Sequence, residues 1–419
     1  MRYPFRLSYT LASLALALLV APARAQLVAD GSELAISGRT GSKQFVPTTA
    51  LRAKATDPSL SIWDDTVLGL VGRFYDAGGT PLLSPIAIAA NPPPPTTLPF
   101  SVVLVEHHDP SMAMKADGSF VVAWTEITVN RRADAFIDEH IPLASRIVAR
   151  TFNANGTPKG NLLEIGKGSG VSASRAVVAA NSDGSYWIAW VEAGGAADGV
   201  HLRVIDKKGK LGKPALPARG GRSPALAAGG SGMLLAWEGC CAQDGAGQVF
   251  GLLYKSNGKT IGSAFGISTT LGRKANRPAI AGRPGGDFLV AWEGTPTSGG
   301  GPTKVHARLV LKTGALAGGE LAISGADAGS SPRAAALAAG RWGIAWVTRS
   351  GSSRTGVAAR TSDGLGNLAP AVTLSQAVPR TDELAFVGAA DGRVLAEWVG
   401  VDAEGRISIR GRRAHVQLP

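Results

Sequence analysis

FVVAWTE at 120–126, YWIAWVE at 186–192, MLLAWEG at 233–239, FLVAWEG at 288–294 and WGIAWVT at 342–348 are five copies of one phrase. Each is a short apolar strand ending in Ala-Trp, usually with an acid just after it. Weaker copies stand at 60–65 (LSIWDD) and 394–400 (VLAEWVG). The tryptophans that end these phrases are Trp63, Trp124, Trp190, Trp237, Trp292, Trp346 and Trp398, seven of the chain's nine. A unit that returns every ~50 residues indicates a propeller, solenoid or array rather than unrelated domains joined in series.

The surrounding sequence makes the unit a propeller blade. In the second copy, Ser111 to Ala116 reads as a first strand, Phe120 to Glu126 as a second, Ile147 to Phe152 as a third and Asn161 to Ile165 as a fourth. Asp117-Gly118 and Asn155-Gly156 supply the positive φ angles of tight hairpins. Four antiparallel strands per unit is the blade architecture. The strand before each Trp is apolar at every position, which fits a strand covered on both faces. Ala123, Ala189, Ala236, Ala291 and Ala345 precede the tryptophans and leave room for a neighbouring blade. Helix signals are nearly absent, and glycines are spread along the chain, as an all-β fold with many turns requires.

The expected fold is therefore all-β: a seven-bladed β-propeller of four-stranded antiparallel blades spanning 26–419. The last blade has only three strands before the chain ends. Ser32 to Gly38 nearly copies Gly319 to Gly325, the fourth strand of the fifth blade. The N-terminal strand is thus expected to close the ring on the C-terminal blade and remove a free edge. The Pro-rich stretch at 92–99 reads as a stiff connection between the first two blades. Arg73, Arg150, Arg203, Arg308 and Arg360 each stand at one fixed distance before a turn glycine, which marks them as scaffold residues that cap a blade edge or pair with a neighbour. Glu397 occupies the position where five blades have Ala. A carboxylate buried there needs an arginine, access to the central channel or a raised pKa.

Residues 1–25 read as a secretory signal: Arg2 and Arg6, an apolar core from Leu11 to Val20, and Ala23-Arg24-Ala25 as a cleavage site. The apolar run is too short for a membrane span. This places the protein outside the cytoplasm, secreted or periplasmic. The formal charge is +12, and removal of Arg2, Arg6 and Arg24 leaves 12 − 3 = +9. That balance suits anionic surfaces or polysaccharides. No basic run, basic-aromatic interleaving or recognition helix points to nucleic acid.

The unit DGSFVVAW at 117–124, followed by IVARTFNANGTPKG at 147–160, resembles a repeat of exported bacterial surface proteins and calcium-binding-toxin-like proteins. The resemblance covers nearly all of 60–413 and implies a β repeat, with no established activity. Sialidases share a Ser-x-Asp-x-Gly-x-Thr-Trp turn, but Ser182 to Trp187 has the wrong spacing for it. Fucose-binding propeller lectins use Arg, Glu and an aromatic, and no specific motif of theirs is matched.

Three features fall on the face that carries the connections between blades, here called the top. Arg175, Arg222 and Arg277 precede Trp190, Trp237 and Trp292 at one constant spacing, and Glu126, Glu192, Glu238 and Glu293 closely follow a blade Trp. Hairpin folding sets Arg222 opposite Glu238 and Arg277 opposite Glu293. Such pairs serve either as cross-strand ion pairs or as a polar ring for carbohydrate or carboxylate ligands. The second feature is a cluster of Glu106, His107, His108 and Asp109 with Asp134, Asp138, Glu139 and His140. Imidazole with carboxylate makes a divalent metal a candidate cofactor, although no established ligand spacing is present and a solvated polar loop is the reading the composition favours. The third is Cys240-Cys241, the only cysteines. An exported pair tends to oxidise, and a bridge between neighbours is strained; two thiols or an inter-chain link are the alternatives.

No Ser/His/Asp order, nucleotide loop or HExxH motif is present. The expected function is a non-enzymatic, monomeric binding module for polysaccharide or a surface protein through the top-face loops. The rival is a polysaccharide hydrolase or lyase using the second-blade His and acid residues.

Overall fold

A computed structural model describes residues 25–417, apart from 38–43, 53–56, 94–96, 99, 135, 168–171, 231, 241–246 and 402–404. The signal-like segment up to Arg24, Cys241 and part of the Pro-rich connection lie outside the described residues. The strands form seven four-stranded antiparallel sheets. These are the blades of a seven-bladed β-propeller. Six blades run in chain order, beginning with the strands Gln44–Ala50, Phe100–Met114, Ser172–Ala180, Arg222–Gly229, Arg273–Gly282 and Ala328–Ala336. The seventh contains Leu384–Gly388, Arg393–Val401 and Ile407–Gln417, and its outer strand is the N-terminal Gln26–Ala35. Gln26 pairs with Gln417 and Ala35 with Arg410. The ring is therefore closed across its two ends, as the copied strand requires.

Each Ala-Trp phrase lies in the second strand of a blade, covered on both sides. Trp63, Trp124, Trp190, Trp292, Trp346 and Trp398 are fully buried, as are the five alanines. Seven apolar clusters fill the seven blade junctions. In five of them the Trp of one blade packs with the Ala of the blade before it: Trp190 with Ala123, Trp237 with Ala189, Trp292 with Ala236, Trp346 with Ala291 and Trp398 with Ala345. A large side chain is thus received by a small one, which gives the close packing that dispersion forces reward.

The repeated arginine of the third strand ties junctions together from outside. Arg203 Nη1 donates to the carbonyl of Ile165 at 2.8 Å, Arg308 Nη1 to Ile267 at 3.3 Å and Arg412 Nη1 to Leu374 at 3.1 Å. Each acceptor belongs to the outer edge of the preceding blade. Arg412 is the seventh-blade member of this set.

The closing junction differs. Trp63 of the first blade meets Val399, Ile409 and Ile36 of the seventh. Glu397 stands in the alanine position there and is fully buried. No arginine among the described residues pairs with it. The Ser61 hydroxyl of the first blade donates to its Oε1, while Oε2 has no partner among the described residues. Burial is the main cause that pushes its pKa up to about 8.

Candidate functional site

The inner strands line a central channel, and at its top each of blades 1 to 6 carries the same irregularity. Between Asn276↔Glu293 and Ala279↔Ala291 the inner strand advances three positions while its partner advances two. The other five inner strands repeat this at Phe45/Thr48, His108/Ser111, Ser174/Val177, Arg222/Ala225 and Ser330/Arg333. This is a β-bulge of a single extra residue, a device that re-aims a side chain. In five blades the bulged residue has a left-handed backbone: Asp109 (φ 51°), Arg175 (56°), Ser223 (47°), Arg277 (49°) and Ser331 (51°). None is glycine. Four of them precede proline, which further restricts the backbone. Strained non-glycine positions of this kind cost ~1–3 kcal/mol each and cluster at binding sites.

These five residues line the channel mouth together with Arg333, Asp382 and Glu383, in a cavity of ≈ 630 Å³. The inner strand of blade 7 pairs without a bulge; Asp382 and Glu383 precede it and occupy the corresponding level. Arg175 Nη1 donates to the Ser223 hydroxyl at 3.0 Å, and that hydroxyl reaches Glu238 Oε2 at 3.3 Å. Arg277 Nη1 lies 3.5 Å from Glu293 Oε1 and 3.9 Å from Asp382 Oδ2. Glu293 is buried and also accepts the Ser331 amide at 2.7 Å. Glu383 is shifted upward by burial and then by the neighbouring charges of Asp109 and Asp382, and its Oε2 has no partner among the described residues.

The sequence-predicted residues separate on this frame. Arg175, Arg277, Glu238 and Glu293 gather at or beside the mouth. Arg222 is the register partner of Glu238, but its guanidinium pairs with Asp198, with Nη2 3.1 Å from Oδ2. The reason is local. Ala225 pairs with Ala236, whereas Ala279 pairs with Ala291. The first hairpin of blade 4 is thus shorter by a single position than that of blade 5, so a constant spacing from Trp selects Arg222 instead of Ser223. Glu192 accepts the Trp190 indole N–H at 2.9 Å, and Glu126 is held by Arg146 at 2.7 Å. The bulge residues Asp109, Ser223 and Ser331 escape a search for repeated charge. Their signal is the recurrent X-Pro step at 109–110, 223–224, 277–278 and 331–332.

The second blade carries the His and acid cluster on strands that extend beyond its neighbours, Phe100–Met114, Phe120–Ala133 and Asp138–Phe152. Glu106 joins His108 at 3.3 Å and His140 at 2.5 Å. His108 Nδ1 also meets Asp64 of the first blade at 2.9 Å, and this bond is the main cause that raises its pKa to about 9. His107 accepts the Trp124 indole N–H at 3.3 Å and is shifted downward by burial. Asp138 accepts from Nε and Nη2 of Arg131 at 2.9 and 2.8 Å, Glu139 is exposed and Asp109 belongs to the channel mouth. Among the described residues, no group of three or more His, Cys, Asp or Glu is arranged to hold a metal ion. Cys240 is disulfide-bonded.

No family model matches the chain, and no curated protein matches it. Solved structures do. A protein of unknown function from Dyadobacter fermentans DSM 18053 is similar at 14% identity, TM-score 0.50, over 75% of this chain and 95% of its own. A polysaccharide lyase PL25, an ulvan lyase, is similar at 9% identity, TM-score 0.50, over 88% of this chain and 94% of its own. The GH93 α-L-arabinofuranosidase of Fusarium graminearum is similar at 10% identity, TM-score 0.45, over 92% and 98%. At such identities the likeness is one of fold, and function rests on the site. No described helix is long and apolar enough to cross a membrane.

Proposed function

We propose that this is an exported polysaccharide-binding propeller that takes its ligand at the top of the central channel. One observation carries the reading: five blades hold a non-glycine residue in a left-handed bulge at the same level of one cavity. Strain repeated five times at one rim has no packing purpose that ordinary strand pairing would not serve better. It holds Asp109, Arg175, Ser223, Arg277 and Ser331 on rigid strands around one opening. Polar groups preorganised in this way bind hydroxyl-rich ligands with little ordering cost. The test is a glycan-binding screen on the mature protein, with product analysis of any polymer bound. Binding that Arg175→Ala and Arg277→Ala weaken supports the reading; unchanged binding in both removes it.

A polysaccharide hydrolase or lyase is the second reading, and His107 and His108 are its specific support. Burial keeps one imidazole neutral, and Asp64 with Glu106 keeps its neighbour cationic. Adjacent groups with opposed proton affinities suit acid–base work. Oligosaccharide release that His107→Ala abolishes supports this reading; absence of products across the bound polymers opposes it.

A further inference from the structure

Beside the channel mouth, between blades 5, 6 and 7, lies a cleft of ≈ 390 Å³ lined by Asn276, Arg277, Glu293, Thr303, Arg349 and Asp382, among others. Its size falls in the range of small-ligand sites, roughly 300–1,000 Å³. Arg277 and Asp382 line both cavities, so the two are joined at one edge. We infer that this cleft is a subsite for a neutral, hydroxyl-rich sugar ring of the polymer whose chain crosses the channel mouth. The inference rests on the proposed saccharide binding and adds the place and the chemistry of one sugar unit.

Rigidity comes first. Arg349 grips both oxygens of Asp382 at 2.5 and 2.7 Å, bonds the Ser330 hydroxyl at 2.6 Å and the Ser352 carbonyl at 2.7 Å. Asp382 also lies 3.6 Å from Arg354. The acid is therefore fixed, with lone pairs that two hydrogen bonds do not exhaust. Unmet capacity comes second. Asn276 Oδ1 is buried without a partner among the described residues, and Arg277 remains about half exposed with only long contacts to Glu293 and Asp382. A buried amide oxygen left unpaired is costly, and a ligand hydroxyl would satisfy it. The Ser352 hydroxyl adds a group that both donates and accepts.

Charge selects the ligand class. Around the mouth, Arg175, Arg277 and Arg333 face Asp109, Asp382 and Glu383. Three cations against three acids leave no surplus to attract a polyanion. In the cleft, Glu293 and Asp382 stand against Arg277 and Arg349, the latter committed to Asp382. A uronate or sulfate entering here meets two carboxylates. A neutral ring meets alternating donors and acceptors, which suit vicinal hydroxyls.

The experiment is calorimetric titration of the mature protein with neutral oligosaccharides and with uronate-containing oligosaccharides of matched length. Asn276→Ala and Ser352→Ala are expected to weaken neutral binding about five- to tenfold each, the worth of one hydrogen bond, with unchanged melting temperature. Arg175→Ala, on the far side of the mouth, separates the two levels. If it weakens binding while the cleft variants bind like the parent, the subsite is wrong and the mouth reading stands. If only uronate ligands bind, the assignment to neutral sugars is overturned. If no saccharide binds the parent, the subsite falls together with the reading on which it rests.

Discussion

Glu397→Gln isolates the chemistry of the closing junction. Glu397 is fully buried, its Oε1 accepts from Ser61 and its Oε2 has no partner among the described residues. Its pKa is about 8, against an ordinary value of 4.5. Below pH 4.5 the acid is neutral in both folded and unfolded chains, and its contribution is fully present. Between 4.5 and about 8 the unfolded chain releases the proton while the folded chain keeps it, so stability falls as pH rises. The slope is ~1.4 kcal/mol per pH unit, and the loss levels off above the folded-state value at ~5 kcal/mol. Glutamine keeps an oxygen for Ser61 and removes the titration. Other carboxylates act on both proteins alike, so the difference between them is the diagnostic. Urea unfolding of parent and variant from about pH 5 to about pH 9 is expected to show the variant gaining ~4 kcal/mol over the parent. Parallel profiles, with a difference that stays constant within ~0.5 kcal/mol, would refute a neutral buried acid at this position.

Trp237→Ala and Trp292→Ala are each expected to cost ~3–5 kcal/mol in denaturant unfolding, because each Trp fills the space over the small residue of the preceding blade; parental stability with lost ligand binding would make them exposed platforms instead. Deleting Gln26 to Ser37 exposes the last strand of blade 7, and a large drop in melting temperature or aggregation is expected. Comparing Arg277→Gly with Arg277→Ala tests the strained bulge: both lose the side chain, only glycine relaxes φ, and the glycine variant is expected to be more stable by ~1 kcal/mol. Asp64→Asn removes the main partner of His108, so NMR titration is expected to move that histidine from about 9 down toward 6.5; an unmoved titration point would show that Asp64 does not set it.

The blades were legible because their physics is repetitive. Ala beside Trp solves the same packing problem at five junctions, and the arginine of the third strand answers the same exposed carbonyls at several of them. The closing strand was legible because Ser32 to Gly38 repeats an outer strand found elsewhere in the chain. The channel mouth was not. A bulge adds a single residue to a strand and leaves the apolar pattern on both sides intact, so only the X-Pro steps betray it. The shorter turn of blade 4 then displaced the arithmetic by one, selecting Arg222 over Ser223. Glu192 shows a different ambiguity: a repeated acid next to Trp also serves a buried indole N–H, and sequence does not separate that task from ligand binding.

The strand that closes the ring also orders events in time. Gln26 pairs with Gln417, so the seventh sheet joins one strand from the start of the ring's sequence to three from its end. The strand Gln26–Ala35 is synthesised before any blade, and its partner Ile407–Gln417 follows all the other strands. Loop-closure entropy grows only slowly with length, but contacts this distant form late. Chains truncated before Ile407 lack the partner that completes the seventh sheet. Circular closure thus serves as a check on completeness, because only a chain that carries both of these strands can hide the edge that each would otherwise expose.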